Sequence, residues 1–349
     1  MENRRIFLKR FLPRLAGIVG ALSFSPSIMA AGLAATARAS RSIRLDDPKY
    51  RALIRELTQK HRFDPADLKA IFRKVIFQRD IIEKFDRPAE RLPYYEYQKR
   101  FINDPLIARG QAYLQENDPL LQVIEDKFHV EKEIVSSILG IETKFGQPGI
   151  EKYRAFDILN TAYALYPRRE AFYRGELIAY LLLCREEGID PFSIKSSYAG
   201  AFGVPQFIPS SFRRYAVDFD KDGKRDLWRS DGDIFASVAN YLRKFGWRRD
   251  RLTYLPARIE EGSPAVQALV RRGIRKTTTV AKAIQMGVQI PEEAAQGEAE
   301  VSFAYYEPEK GKKALLALFD NFRAITRYNF SVNYALVVIH LSRRISSRG

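Results

Sequence analysis

The chain has 349 residues, of which 46% are hydrophobic and 29% charged, and its formal net charge is +16. These values are typical of a folded protein with two or three lobes. The single cysteine, Cys184, excludes an intrachain disulfide and a cysteine-rich metal site. Three scattered histidines and the lack of a glycine-rich phosphate loop argue against zinc hydrolysis and nucleotide-dependent chemistry.

Residues 1–39 have the features of an export signal. A basic start at residues 4–10 precedes an apolar run at 15–33, and Ala-Arg-Ala at 37–39 is typical of a cleavage site. We predict an exported, periplasmic protein whose mature chain begins near Ser40. Residues 3–9 resemble a twin-arginine motif, and both general secretion and twin-arginine export stay open. No cysteine lies near the cleavage site, so we predict that the protein is not a lipoprotein.

The mature chain is also basic. The first 39 residues contribute +5 of the net charge, so residues 40–349 keep +11. This excess favours a polyanionic partner such as nucleic acid, an anionic membrane surface or a bacterial wall polymer. Charge alone does not separate these partners from each other, or from simple solubility.

Residues 40–130 are predicted to form a helical N-terminal lobe. The apolar face of its first helix consists of Tyr50, Leu53, Ile54 and Leu57. Asp64 and Pro65 have the residue types of an N-cap and a first turn, so they predict the start of the next helix. Residues 86–98 are predicted to be an aromatic loop whose tyrosines either line a sugar groove or simply pack.

A candidate general acid, Glu142, lies near the end of the next predicted helix. The apolar stripe of that helix consists of Ile134, Ile138, Ile141 and Phe145. Glu142 lies beside the stripe and shares a helix side with Ile138 and Leu139. Apolar neighbours raise the pKa of a carboxyl group, as a general acid near neutral pH requires. Gly146 is predicted to end the helix. The alternative for Glu142 is that it is solvated and inert, as most helical glutamates are.

Two further segments have the residue types of a binding site. Arg168 and Arg169 begin a long helix that is predicted to end at Gly188, and they either hold a carboxylate or acetamido group or are solvated. Residues 196–212 combine glycines and prolines with aromatic residues. They predict an irregular, buried cleft wall that carries Ser197 and Gln206.

An acidic loop resembles the start of an EF-hand calcium site. Positions 1, 3, 5 and 7 are Asp218, Asp220, Asp222 and the carbonyl of Lys224. Position 12 is Arg229 rather than glutamate, but Asp231 and Asp233 follow within reach, so a lengthened loop could close the ligand shell. We predict Ca²⁺ here, because carboxylates this close repel each other unless a cation joins them. The alternative is an ordinary turn rich in aspartate and glycine.

Beyond the helix predicted at 233–244, the pattern changes to that of strands. Predicted strands cover residues 252–259, 301–306 and 314–319, with a turn at 308–311 and a short helix at 280–286. This pattern predicts a small inserted β lobe. The predicted domains are 40–130, 131–249, 250–327 and a C-terminal helix, 328–349, that returns to the core.

Taken together, the motifs resemble the lytic murein transglycosylase B family over roughly residues 45–345. The motifs are GIETKFG at 140–146, YPRR at 166–169, AGAFGVPQFIPS at 199–210, the acidic loop, SVANY at 237–241 and ITRYN at 325–329. The resemblance implies a mainly α (α+β) fold. A lysozyme-like catalytic core would carry an N-terminal α lobe and a small inserted β lobe.

The resemblance also implies the functional residues. The catalytic glutamate of the family falls on Glu142. The family's sugar-contacting positions fall on Tyr97, Arg168, Arg169, Ser197, Gln206, Tyr241, Tyr328, Asn329 and Tyr334. The family's calcium ligands fall on Asp218, Asp220, Asp222, the Lys224 carbonyl and a later acid, for which Asp233 is chosen over Asp231. We expect the calcium ion to be structural.

The implied reaction needs only one carboxyl group. Glu142 would protonate the oxygen between N-acetylmuramic acid and N-acetylglucosamine, and would then take a proton from the muramoyl C6 hydroxyl as a 1,6-anhydro ring closes. Ser197 and Gln206 would orient acetamido groups, and Tyr241 would support the muramoyl site. The expected partner is the peptidoglycan glycan strand, with other cell-wall enzymes as further candidates. We expect a monomer that uses no organic cofactor and binds no nucleic acid.

Two other functions stay open from the sequence. A lysozyme-like hydrolase would need a second carboxylate to activate water, for which Asp157 and Glu176 are candidates. A non-catalytic wall-binding protein would be indifferent to the substitution Glu142→Gln.

Overall fold

The computed structural model describes residues 43–86, 89–259, 264–291 and 299–346. The predicted export signal at residues 1–39 lies outside these ranges. Within them, no helix is both long enough and apolar enough to cross a membrane.

Most of the described chain is helical. In chain order the α-helices are α1 (Pro48–His61), α2 (Pro65–Arg73), α3 (Ile81–Asp86), α4 (Tyr94–Tyr97), α5 (Asp104–Phe128), α6 (Lys132–Thr143), α7 (Ala155–Leu165), α8 (Glu170–Glu187), α9 (Pro209–Tyr215), α10 (Asp231–Lys244), α11 (Pro264–Arg271), α12 (Val280–Gln285), α13 (Asp320–Tyr328) and α14 (Val332–Ser346). Single 3₁₀ turns cover Ala89–Arg91, Gln98–Arg100 and Pro167–Arg169. The predicted start of α2 is confirmed: the Asp64 carboxylate accepts hydrogen bonds from the backbone N–H groups of Ala66 and Asp67.

The strands form two antiparallel sheets. They are β1 (Tyr153–Arg154), β2 (Lys195–Ser196), β3 (Tyr254–Ile259), β4 (Thr278–Thr279), β5 (Val288–Gln289), β6 (Glu300–Glu309) and β7 (Lys312–Leu318). β1 pairs with β2, and the larger sheet has the order β4-β6-β7-β3-β5. β6 and β7 form a hairpin whose turn contains Gly311, at a positive φ of 78°. The three predicted strands therefore correspond to β3, β6 and β7, within a few residues.

Three clusters of buried apolar side chains hold the described elements together. The first joins α5, α6, α10 and α14. The second joins α1 and α2 to α7 and α8. The third lies between the larger sheet and α12. Helix α6 therefore lies in a helical core built from distant parts of the chain, and the predicted domain boundaries stay a prediction.

Helix α6 ends earlier than predicted, at Thr143 rather than at Gly146. Lys144 and Phe145 adopt left-handed backbone angles, with φ of 51° and 62°. The Phe145 N–H donates to the Leu139 carbonyl, which is a common way of ending a helix. The Phe145 ring folds back over Gly140, where a Cβ would lie 2.6 Å from it. Phe145 thus keeps its place in the apolar stripe without continuing the helix.

Three described helices begin inside residues 250–327, the predicted β lobe. Helix α12 corresponds to the predicted short helix, whereas α11 and α13 were not predicted. Helix α13 begins directly after β7, so its first residues follow the strand pattern without a separating loop. Its amphipathic face packs Phe322 and Ile325 into the helical core. The sequence analysis missed α11 and α13, and α13 was missed because it begins directly after the predicted strand at 314–319.

Candidate active site

Glu142 lies in the last turn of α6, as predicted. Its side chain is half-buried, and the Tyr334 hydroxyl donates a hydrogen bond to Glu142 Oε1 at 2.7 Å. Burial raises the pKa of the carboxyl group to about 7; the Tyr334 hydrogen bond lowers it, and the charge of Glu90 raises it. A carboxyl group with this pKa exchanges its proton near neutral pH, which suits a general acid and base.

Three tyrosines, Tyr97, Tyr328 and Tyr334, interact with this carboxyl group, and Tyr241 packs against Tyr328. These four residues are called the tyrosine cluster below. The rings of Tyr328 and Tyr334 lie nearly parallel, with centroids 6.4 Å apart. The ring of Tyr241 meets that of Tyr328 edge-on at 4.9 Å. Burial raises the pKa of Tyr328 and Tyr334 well above the usual value, and the charge of Glu142 adds to this. Both phenols therefore stay neutral near pH 7.

Hydroxyl bonds to the main chain hold two members of the cluster in place. Tyr328 Oη donates to the Pro205 carbonyl at 2.5 Å, and Tyr241 Oη donates to the Arg327 carbonyl at 2.5 Å. The first bond joins α13 to the segment that was predicted to be a cleft wall. The second joins α10 to α13, so helices that are distant in the sequence meet beside Glu142.

The segment predicted to be a cleft wall is irregular up to Ile208, after which its last residues form the start of α9. Gly203, at a φ of 73°, lies so close to the chain that a Cβ would meet the Leu227 carbonyl oxygen at 2.9 Å. Gln206 also has a positive φ, 51°, which is uncommon for a residue with a side chain. Its Nε2 donates to the Gly203 carbonyl at 3.0 Å. The turn thus holds the amide of Gln206 in one orientation.

The remaining predicted sugar contacts are spread more widely. Tyr97 is buried, and the charges of both Glu90 and Glu142 contribute to raising its pKa. Ser197 lies in the tight turn of the irregular segment, where its N–H donates to the Ala201 carbonyl. Asn329 follows Tyr328 directly, at the end of α13.

The two arginines are not among the side chains that contact Glu142. Arg168 is exposed and pairs with Asp86 at 3.3 Å. The Arg169 guanidinium lies 4.0 Å from the centroid of the Phe172 ring. Both lie near an aromatic group in which Phe85 contacts Tyr166 and Tyr198.

One residue of the site was missed in the sequence. Glu90, in the 3₁₀ turn before α4, accepts a hydrogen bond from Asn329 Nδ2 at 3.1 Å. It is also the carboxylate whose charge acts on Glu142. No local pattern marks Glu90, because its neighbours in the sequence are unremarkable and its partners lie more than 50 residues away.

Asp157 and Glu176, the two candidates for a second catalytic carboxylate, serve other purposes. Asp157 is buried, accepts the Ile76 N–H at 3.0 Å and pairs with Arg154 at 2.6 Å. Glu176 is buried and accepts both the N–H and the hydroxyl of Ser210. These bonds fasten helices to neighbouring segments, so both carboxylates already have structural partners, and their proposed role in activating water stays an untested alternative.

The acidic loop brings three carboxylates together as predicted. Single oxygens of Asp218, Asp220 and Asp222 lie within 4.8 Å of one another. Gly223, at a φ of 89°, donates its N–H to Asp218 Oδ2 at 3.0 Å. The other oxygen, Asp218 Oδ1, is buried and has no hydrogen-bond partner within the described part of the chain. A buried, unpaired carboxylate oxygen fits a cation ligand.

The structure separates the two candidates for the closing ligand. Asp233 is close enough for the charges of Asp220 and Asp218 to raise its pKa, although burial is the larger cause. Its two oxygens accept the N–H groups of Phe219 and Asp226. Asp231 instead lines a separate cavity with Tyr113 and Phe145. Asp233 thus interacts with the other loop carboxylates, but it lies outside the group of three that is within 4.8 Å, and its choice over Asp231 stays a prediction.

A half-buried glutamate with a pKa near neutrality, set in a mainly helical, lysozyme-like fold, defines a class of enzymes that cleave glycosidic bonds by acid–base catalysis. Residues 46–343 match the family model described as the transglycosylase SLT domain. The match covers most of the chain, which therefore belongs to that family.

Similar proteins point the same way. The membrane-bound lytic murein transglycosylase B of Escherichia coli K12 is 29% identical over 312 residues, which are 86% of this chain and 83% of that protein. The structure of the soluble lytic transglycosylase SltB1 from Pseudomonas aeruginosa matches with a TM-score of 0.76 and 36% identity, over 84% of this chain and 97% of that one. The Escherichia coli Slt35 structure in complex with calcium matches with a TM-score of 0.75 and 28% identity, over 88% of this chain and 95% of that one. The predicted family, lysozyme-like fold and lytic transglycosylase class are confirmed.

Proposed function

We propose that this transglycosylase cleaves the bond between N-acetylmuramic acid and N-acetylglucosamine in peptidoglycan, with Glu142 as its single acid and base. The observation that carries the proposal is the pKa of about 7 that burial gives this carboxyl group. A proton held at that pKa can be donated and recovered within one turnover. Asp157 and Glu176, the predicted partners for a hydrolase, are engaged elsewhere.

The reaction begins with protonated Glu142. Its proton passes to the glycosidic oxygen, the bond from that oxygen to the muramoyl C1 breaks, and the adjacent N-acetyl carbonyl stabilises the positive charge. The muramoyl C6 oxygen then attacks C1, and its proton passes to the Glu142 carboxylate. This closes a 1,6-anhydro ring, consumes no water and restores the protonated enzyme.

The tyrosine cluster suits such a step. Because Tyr334 donates to Glu142 Oε1, it holds one oxygen of the carboxyl group and leaves Oε2 for the proton transfer. Neutral phenols exclude water without adding charge. In this proposal Ser197 and Gln206 orient acetamido groups, and Asn329 contacts the sugar. Arg168 and Arg169 would offer positive charge to the peptide carboxylates of the substrate.

Calcium is proposed as a structural ion of the acidic loop. The unpaired Asp218 Oδ1 supports it, and so does the calcium complex of the similar Slt35 protein. Asp218, Asp220, Asp222, the Lys224 carbonyl and Asp233 would hold the ion. It would neutralise the facing carboxylates and fasten the loop to the start of α10.

Export to the periplasm without a lipid anchor is proposed on the sequence of residues 1–39. The protein is also proposed to be a monomer. That location would place the basic mature chain beside an anionic wall polymer. Other cell-wall enzymes are candidate partners there, and nucleic acid is not expected.

The experiment is mass spectrometry of the products that residues 40–349 release from purified murein sacculi, beside Glu142→Gln. The matched control is Glu133→Gln, at the opposite end of the same helix. We expect 1,6-anhydro products from the wild type and the control, and at least a ~1000-fold loss with Glu142→Gln. Products with hydrated reducing ends would replace this mechanism with water attack. Sacculus binding without any soluble product would indicate a binding protein instead.

A further inference from the structure

Glu90 lies where two parts of the chain meet beside the Glu142 site. Its carboxylate accepts the Asn329 side-chain amide at 3.1 Å. One helical turn along, Asn333 Nδ2 donates to the main-chain carbonyls of Glu90, at 3.3 Å, and of Leu92, at 2.8 Å. Two asparagines thus fasten the 3₁₀ turn before α4 to the corner between α13 and α14.

The bond to Glu90 fixes which end of the Asn329 amide faces away from it. A carboxylate only accepts hydrogen bonds, so it binds the NH₂ end of an amide. The carbonyl oxygen Oδ1 of Asn329 is then the end left for another partner. A substrate group that meets Asn329 must therefore donate to it, as a sugar hydroxyl or an acetamido N–H does.

Glu90 is also an ionisable neighbour of Glu142. The titratable groups that act on Glu142, or are acted on by it, are Tyr334 from α14, Tyr328 from α13, Tyr97 from α4 and Glu90. The three tyrosines are neutral near pH 7, because burial raises their pKa values. Glu90 is therefore the negative charge of this set that disfavours ionisation of Glu142.

We propose that Glu90 is a positioning residue, whose carboxylate holds the Asn329 amide so that its carbonyl oxygen faces the substrate. A secondary effect follows from its charge, which adds to burial in favouring the protonated form of Glu142. The proposal rests on the proposed role of Glu142 as the general acid. It assigns Glu90 no proton transfer and no contact with the glycosidic bond.

Two substitutions separate these effects. Glu90→Gln removes the charge, but its amide oxygen can still accept the Asn329 hydrogen bond. Glu90→Ala removes both. The matched control is Glu96→Gln, which makes the same charge change at an exposed position of α4. The rate on soluble peptidoglycan oligomers is measured from pH 4 to 9 for each protein.

We expect Glu90→Gln to move the alkaline limb of kcat/KM to lower pH, because a general acid of lower pKa is lost earlier as pH rises. Its KM at pH 5.5 should match that of the wild type. Glu90→Ala should show the same displacement together with a KM about threefold to tenfold higher, the usual effect of one misplaced hydrogen bond. Glu96→Gln should change neither. A profile that stays in place in Glu90→Gln overturns the charge effect, and an unchanged KM in Glu90→Ala overturns the role in orientation.

A loss of ~1000-fold or more at every pH in Glu90→Gln would also overturn the proposal, since it would make Glu90 a reacting group. A readout without substrate separates this inference from the proposed function. The ¹³C carboxyl signal of Glu142, assigned by its disappearance in Glu142→Gln, is titrated in the wild type and in Glu90→Gln. A lower midpoint in the variant supports the charge effect even if no wall product forms, and an equal midpoint overturns it even if the enzyme is active.

Discussion

Two polar neighbours of Glu142, Tyr334 and Glu90, shift the pKa of its carboxyl group in opposite directions. The hydrogen bond from Tyr334 stabilises the carboxylate form, whereas the charge of Glu90 destabilises it. Burial outweighs the Tyr334 bond, and the result is a pKa of about 7. The pKa of this proposed general acid is therefore raised mainly by desolvation and adjusted by its two polar neighbours.

Tyr334→Phe should move the alkaline limb of activity in the direction opposite to Glu90→Gln. The substitution removes the donor to Oε1, so the charged form of Glu142 loses a hydrogen bond and the pKa of its carboxyl group rises. The limb of kcat/KM should move to higher pH, while activity on the acidic side falls through the loss of orientation. The same series of pH profiles checks this. A limb that moves to lower pH in Tyr334→Phe would contradict the assigned role of the hydrogen bond.

At the scale of residues, the sequence marked Glu142 but not its surroundings. The apolar positions one and two turns earlier in α6 are visible as a helical period, and they predict a desolvated carboxyl group. Tyr334 is 192 residues away in the chain and Glu90 is 52 residues away. Their effect on Glu142 depends on distances that no local pattern contains. The resemblance to a family supplied Tyr334, while Glu90 required the structure.

Among the elements, the acidic loop and α10 form the clearest local unit. The loop residues bond to one another within a few positions, as in the Lys224 N–H to Asp222 contact of 2.8 Å. Ser230 caps α10 by accepting the Asp233 N–H at 3.3 Å. A cation bound to this unit would stabilise the start of a helix that carries Tyr241. Loop and active site are thus connected through one helix.

Removal of calcium should lower the melting temperature of residues 40–349. With free Ca²⁺ at ~100 times its Kd, the ion should stabilise the fold by about 2.7 kcal/mol, which raises the melting temperature of a chain of this length by roughly 4 °C. The measurement is the difference in melting temperature between calcium and chelator. We expect Asp233→Asn to abolish this difference and Asp231→Asn to keep it. An equal melt in calcium and chelator for the wild type would contradict a structural ion.

The elements themselves were predictable wherever periodicity and end signals coincide. Helices α1, α2 and α8 have an apolar face and recognisable ends, and they formed as expected. The end of α6 was predicted too late, because Phe145 keeps helical spacing in the sequence. In the structure, two left-handed residues turn the chain so that the Phe145 ring packs on Gly140, and this packing determines where the helix ends. Helix α13 was not predicted because it begins directly after β7, so no loop in the sequence separates the two elements.

At the scale of the whole molecule, a buried polar link joins three distant segments. His340 of α14 bonds through Nδ1 to the Tyr94 hydroxyl of α4 and through Nε2 to the Tyr254 hydroxyl of β3, the latter at 2.7 Å. A neutral imidazole has one donor and one acceptor nitrogen, so one tyrosine donates and the other accepts. Burial, followed by the charge of Arg343, lowers the pKa of His340 to about 4.

This depressed pKa makes stability depend on pH with a definite sign. Between about pH 6.5 and 4 the unfolded chain binds the proton and the folded chain does not, so acidification favours unfolding. The contribution is complete above pH 6.5 and lost as pH falls to about 4, an effect of up to about 3 kcal/mol. We expect His340→Gln to have a flatter dependence of the free energy of unfolding on pH in this window. His61→Gln, which changes a histidine at the end of α1, is the control, and equal slopes in wild type and His340→Gln would refute the idea.

The amino-acid order was sufficient for features that depend on neighbours within one or two turns. These are the amphipathic helices, the cap at Asp64, the spacing of the acidic loop and the apolar wall beside Glu142, since each arises from local geometry and burial. The active site needed the folded chain, because Glu90, Glu142, Tyr328 and Tyr334 are brought together by the packing of α6 against α14 and of the 3₁₀ turn against the α13–α14 corner. Desolvation and charge act through space, so the proton affinity of Glu142 is a property of that packing.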